Sequence, residues 1–182
     1  MSEVEIPMSD GDFERFKKAL RRRLRNWQGK PDIHGNFNSS TGHAVGLWGE
    51  IALLNWLGTN SLPARWTGED DDALADIEVC RGIGIETKAQ QPRNWTCELA
   101  TTVQKQSYDN WLQKPSVLYV VWTVCQDPQL KGVHPVLIKG WNTVKEVGDS
   151  GLQYIRGTQQ YRTYPKYGDP HELVQRLKHD CA

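Results

Sequence analysis

No apolar run in these 182 residues approaches the roughly 20 that a helix needs to cross a bilayer, so no membrane-spanning helix is expected. The start, Met1-Ser2-Glu3-Val4-Glu5, is acidic where a secretory signal is basic and then apolar, and the expected location is the cytoplasm. The four cysteines, Cys80, Cys97, Cys125 and Cys181, form no Cys-x-x-Cys pair. That excludes the close-spaced knuckle from which structural zinc normally draws two ligands. Cys80 and Cys125 lie in apolar, strand-like segments and are expected to be buried free thiols, and size and compartment disfavour a disulfide framework. Net charge is also absent, 22 basic residues against 22 acidic ones, which argues against a simple polyanion binder. There is no internal repeat and no low-complexity tract.

What is present fits one globular domain over 1–182: 38% hydrophobic and 24% charged residues, enough to bury a core without staples. The balanced total hides a segregation of sign. Arg15, Lys17, Lys18, Arg21, Arg22, Arg23, Arg25 and Lys30 follow one another with no acid among them, while Glu69, Asp70, Asp71 and Asp72 crowd together later. A nucleic-acid face and a metal site would need such a separation, and two solvated surface patches would look the same.

Ser9 or Asp10 can cap a first helix to about Trp27, with Phe13, Phe16, Leu20, Leu24 and Trp27 as its apolar stripe. A Gly-, Pro- and Asn-rich loop from Gln28 to Thr41 follows. The second helix is expected over His43–Leu57, capped by Ser40 or Thr41, with Leu47, Ile51, Leu54 and Leu57 as its stripe. Glu50 falls inside that stripe. A buried carboxylate costs several kcal/mol, roughly, unless compensated, so Glu50 asks for a partner, a metal or an arginine, unless it lies at the edge of the stripe. Gly46 and Gly49 leave room for close approach of another element.

Arg65-Trp66-Thr67 reads as a short strand. Alternation of Ile77 and Val79, then of Ile83 and Ile85, predicts a hairpin with Arg81-Gly82 at its turn. A period of two puts Glu86 and Lys88 on one face, and Asp76 can lie beside Glu86 across the hairpin. Converging carboxylates repel unless a cation lies between them, which makes the pair a candidate divalent-metal site; an ordinary ion pair on a solvated hairpin is the plainer alternative. A loop is expected over Gln90–Trp95. A third helix over about Leu99–Gln113 would stack Gln104 and Tyr108 one turn apart. Val117–Cys125 is apolar almost throughout and predicts a strand buried on both faces at the centre of the sheet. His134–Lys139 reads as a further strand, Asn142–Val147 as a short helix or turn, and Gln153–Tyr167 as an aromatic-covered edge or a nucleic-acid contact. Asp169 with Pro170 starts a last helix.

Glu50 on a helix, Asp76 on a strand, Glu86-Thr87-Lys88 on the next and Gln104-x-x-x-Tyr108 on a helix before a buried strand together resemble the PD-(D/E)xK nuclease superfamily. The resemblance covers about residues 42–125. It implies an α/β fold with a restriction-endonuclease-like core, αβββαβ, in which helices flank a mixed central sheet; the basic N-terminal helix over 10–27 and the C-terminal extension over 126–182 lie outside the resemblance. Ala75 stands where the family signature has Pro, and the cysteine spacing does not match the iron–sulfur members. The resemblance further implies a Mg2+-dependent DNA endonuclease, with Mn2+ able to substitute. Asp76, Glu86 and Glu50 would be metal ligands, and Lys88, Gln104 and Tyr108 would complete the catalytic set. Arg21, Arg22, Arg23, Arg25 and Lys30 are the expected DNA contacts, and cutting both strands suggests a homodimer or larger assembly. A RecB-like exonuclease and a non-catalytic DNA-binding module are the alternatives.

Overall fold

The computed structural model describes residues 3–27, 40–67, 75–80, 82–90, 101–125, 132–155, 157–163 and 168–182. The expected loop over Gln28–Thr41 falls almost entirely outside them, as do Lys30, the acidic run Glu69–Asp72, Arg81 and the segment 91–95.

The chain is a mixed α/β protein. A six-stranded sheet contains, in spatial order, β1 (Val4–Ile6), β7 (Val136–Thr143), β6 (Val117–Cys125), β4 (Ile83–Gln90), β3 (Ile77–Val79) and β2 (Ala64–Trp66). β4 and β6 run parallel, and the other neighbours are antiparallel. The parallel pair needs a crossover, and α3 (Lys105–Leu112) lies within it. α1 (Asp10–Trp27) packs on α2 (Ser40–Thr59), and α2 packs on the sheet. α3 and α4 (Val144–Asp149) cover the opposite face, and α5 (Pro170–Asp180) lies against β7.

Burial on both faces explains why β6 is apolar throughout. Tyr119, Val121 and Cys125 enter the core under α2, whereas Val120 and Trp122 enter the one under α3 and α4. Helix α2 is buried around most of its circumference: Leu47, Trp48, Ile51, Leu53 and Leu57 are fully enclosed, a wider apolar surface than the single stripe read from sequence. Gly49 permits this contact, because a Cβ there would lie 2.5 Å from Thr123 Oγ1 and 2.9 Å from the Ala89 methyl. The helix ends follow local chemistry. Ser9 Oγ accepts the Asp12 N–H while the Asp12 carboxylate accepts the Ser9 N–H, and Asp169 caps α5 with Pro170 at its first turn.

The structure departs from the sequence reading at Thr101–Gln104 and at Cys80, and adds a strand at the acidic start. Thr101–Gln104 is not helical; it forms β5, which joins β9 (Thr158–Thr163) and β8 (Leu152–Ile155) in a second sheet ordered β5-β9-β8. Its β-branched residues suit a strand, and its partner lies far along the chain. The acidic start supplies β1, an edge strand on β7. Cys80 is not a free thiol. It is bonded to Cys181, 101 residues away, with Cα atoms 5.6 Å apart, so the end of α5 is tied to the end of β3. Cys125 is free and buried, and burial pushes its thiol up to about 12.

Candidate active site

Strand pairing builds the site. Ile77 pairs with Ile85, and one further step of that register sets Asp76 opposite Glu86. Asp76 lies just before β3, in a bend held by the Thr67 N–H donating to its carbonyl. Its carboxylate turns to the neighbouring strand, where Oδ2 accepts the Thr87 N–H at 2.7 Å. Ile85 and Ala89 face the α2 core, so strand alternation sends Glu86 and Lys88 to the other face, towards α3. There the Lys88 ammonium stands 3.5 Å from Glu86 Oε2 and 5.1 Å from the centre of the Trp111 ring.

The electrostatics of Asp76 reflect the same cluster. Burial, then the negative charges of Glu86 and Glu50, hold its carboxyl well above the usual carboxylate range; Lys88 and the Thr87 N–H oppose that shift. Like charges are therefore close, and Lys88 is a cation that acts on Asp76. Among the described residues, no three His, Cys, Asp or Glu side chains stand together as a ready-made metal cluster.

Glu50 reaches the area from α2 and is already engaged. Arg23 grips it with both terminal nitrogens, Nη1 to Oε1 at 2.9 Å and Nη2 to Oε2 at 2.8 Å, and Trp66 Nε1 donates to Oε2 at 3.0 Å. The arginine alternative for Glu50 is the one the geometry displays, and the pair is nearly enclosed, its side chains 17% and 5% exposed. Burial, reinforced by the positive charge of Arg23, lowers the pKa of His43 alongside. Removing Arg23 would strand a buried carboxylate. Arg23→Ala is expected to lose roughly 3–5 kcal/mol of stability, measurable by urea unfolding, and an unchanged midpoint would contradict this role for the pair.

Gln104 and Tyr108 come from two elements. Gln104 ends β5 and occupies the N-cap position of α3, so the two are not stacked on one helix as expected. Tyr108 is buried, its ring 4.2 Å from that of Tyr161, and its hydroxyl presses on Gly148 of α4, where an added Cβ would lie 2.0 Å away. The basic helix is likewise divided. Arg15 lies over the Trp66 ring at 4.9 Å and Arg23 binds Glu50, whereas Arg21, Arg22 and Arg25 are exposed.

Sequence reasoning did not single out Trp111, Trp66 or the Thr87 amide. Trp111 follows Tyr108 by three residues, so helical spacing could have placed it on the inner face of α3. Nothing local marks Trp66 as a partner of Glu50. Compared with protein-family models and with curated proteins, the sequence matches none.

Proposed function

We propose that this protein is a Mg2+-dependent DNA endonuclease on a restriction-endonuclease-like core. The observation carrying the reading is the meeting of Asp76, Glu86 and Lys88 on adjoining strands, with the Asp76 carboxyl held above its usual range by its acidic neighbours. The order α2, β2, β3, β4, α3, β6 supports it, with β4 and β6 adjacent and parallel and β5 inserted before α3.

The donor set fits a small hard cation. Asp76 and Glu86 offer oxygen alone, Asp76 keeps one carboxylate oxygen beyond the one bonded by Thr87, and a cation would favour the ionised form that the surroundings now penalise. Asp76 and Glu86 would hold Mg2+ together with retained waters, and Mn2+ can use the same oxygens. Bound there, the ion would acidify an attacking water and offset charge growing on the scissile phosphate. Lys88, whose ammonium stands beside Glu86 and over Trp111, would donate hydrogen bonds to that water and to the phosphate oxygens. The Thr87 N–H aims the Asp76 carboxylate. Glu50, with both oxygens occupied, contributes its charge to Asp76 in place of direct ligation. Tyr108 packs α3, which carries Trp111, against Tyr161 and α4, and Gln104 leads into α3 at its N-cap position.

Supercoiled and linear DNA incubated with Mg2+ or EDTA test the reading. Nicking or linearisation of the circle, abolished by EDTA, is expected. Loss of linear DNA alone would replace the endonuclease with an exonuclease, and no cutting of either would leave a binding module. Cutting both strands would bring two copies of the chain together, since one site of this kind cuts one strand.

The exposed arginines carry a separate expectation. Neutralising Arg21, Arg22 and Arg25 should weaken binding to all sequences alike and flatten the salt dependence by about one unit of log–log slope for each phosphate no longer neutralised. Arg23 is left out of that set because it holds Glu50. An unchanged slope would remove α1 from the DNA face.

A further inference from the structure

The hairpin of β8 and β9 is not used by the chemistry above. Its residues alternate between two faces, and cross-strand partners share a face. Tyr161 pairs with Val103 on one side and Leu152 on the other, and Tyr154 pairs with Gln159. Val103, Tyr161, Leu152, Tyr154 and Gln159 therefore line one continuous face. At its base, α3 covers the face, with Val103 buried and the Tyr161 ring tilted against that of Tyr108. Towards the turn, where Gly157 takes a positive φ of 83°, the face is open: Tyr154 is 76% exposed and Gln159 is exposed beside it.

In sequence, the segment from Leu152 to Tyr167 holds Arg156, Arg162 and Lys166 and no acid, in a chain whose total charge is zero; Arg162 lies within β9, where it pairs with Thr102 and so stands on the face opposite Tyr161. A two-stranded ribbon fits the major groove of duplex DNA, and a glutamine amide can pair both with N7 and with the N6 amino group of adenine. Tyr154 adds a flat apolar surface and a hydroxyl next to that amide. Placement favours the same substrate: α3 touches the ribbon through Tyr108 and holds Lys88 through Trp111 one turn later.

We infer that the β8–β9 ribbon is the sequence-reading element for double-stranded DNA, with Gln159 and Tyr154 contacting base edges in the major groove. The inference rests on the deoxyribonuclease reading and adds the element that selects the substrate. A second copy of the chain pairing along the edge strand β8 is the competing occupant, less favoured because a segment that holds basic residues and no acid offers its own copy no opposite charge.

The test is selection from a duplex library with a randomised centre, in Ca2+, by the intact protein and by the Tyr154→Ala/Gln159→Ala variant. Sedimentation velocity and thermal unfolding are run on both. The intact protein should enrich a sequence containing adenine. The variant should unfold at the same temperature and lose roughly 5- to 150-fold of the preference for that sequence, while keeping its affinity for the unselected library within a few-fold. Enrichment of the same sequence to the same degree by the variant would overturn the inference, as would DNA binding by the intact protein with no enrichment. A shift from dimer to monomer with the sequence preference intact would assign the ribbon to self-association and overturn it too. Sequence-independent cutting with an unselective intact protein would sink the ribbon alone, whereas absence of both DNA binding and cutting would sink the nuclease reading with it.

Discussion

Lys88→Ala is expected to bind DNA in Ca2+ about as well as the intact protein and to cut it, in Mg2+, about 100- to 1,000-fold more slowly. The asymmetry follows from where charge appears. The phosphate gains negative charge only as the water attacks, so a cation fixed by Glu86 and Trp111 stabilises the transition state more than the bound substrate. Folding should survive, because Lys88 is partly solvent-exposed and its ladder with Trp122 of β6 is made by the backbone, which alanine retains. The variant would also remove a positive side chain that acts on Asp76, leaving that carboxyl harder to ionise. Single-turnover cleavage of a supercoiled plasmid measures the rate. Turnover within a few-fold of the intact protein would move the chemistry away from this strand.

Asp76→Asn is expected to abolish cleavage and, in metal-free protein, to raise thermal stability at neutral pH. Asparagine keeps a carbonyl oxygen for the Thr87 N–H and loses the charge that burial and Glu86 oppose. The sign follows from linkage. An acid whose pKa is higher folded than unfolded binds more protons in the native state, so its contribution to stability falls as pH rises from the unfolded value, near 3.8, through the raised folded value, and is fully unfavourable above that. The difference between the two proteins, measured in EDTA, should therefore be small in acid, grow with pH and then level off. In a chain this size each kcal/mol relieved moves the midpoint by about 2–4 °C. Mg2+ should raise the midpoint of the intact protein and leave that of the variant unchanged, because only the former holds two carboxylates that need a cation. A variant less stable than the intact protein at pH 8, or equally stabilised by Mg2+, would contradict the repulsion between these acids.

Wherever a local pattern is enough, the sequence was sufficient. Alternation of Ile77, Val79, Ile83 and Ile85 sets the hairpin, and with it the opposition of Asp76 and Glu86 and the shared face of Glu86 and Lys88, because a strand period of two leaves no other arrangement. The apolar run of β6 required burial on both faces, Asp169-Pro170 required a helix start, and Glu50 within an apolar stripe required a partner. Which partner Glu50 has was decided by tertiary structure. Arg23 and Trp66 reach it from separate elements, and nothing within the sequence around any of the three residues ranks an arginine above a metal ion. The strand at Thr101–Gln104 was hidden for the same reason, since its pairing energy comes from β9, and helix propensity over so short a segment is too weak to compete with a ready ladder. The bond between Cys80 and Cys181 was beyond sequence altogether: a 101-residue separation carries no spacing signal, and only the packing of α5 brings the two Cα atoms to 5.6 Å. Local periodicity thus determined the elements and the face each acid occupies, while the choice among distant partners was made by packing, because contacts between remote segments leave no periodic trace in the chain.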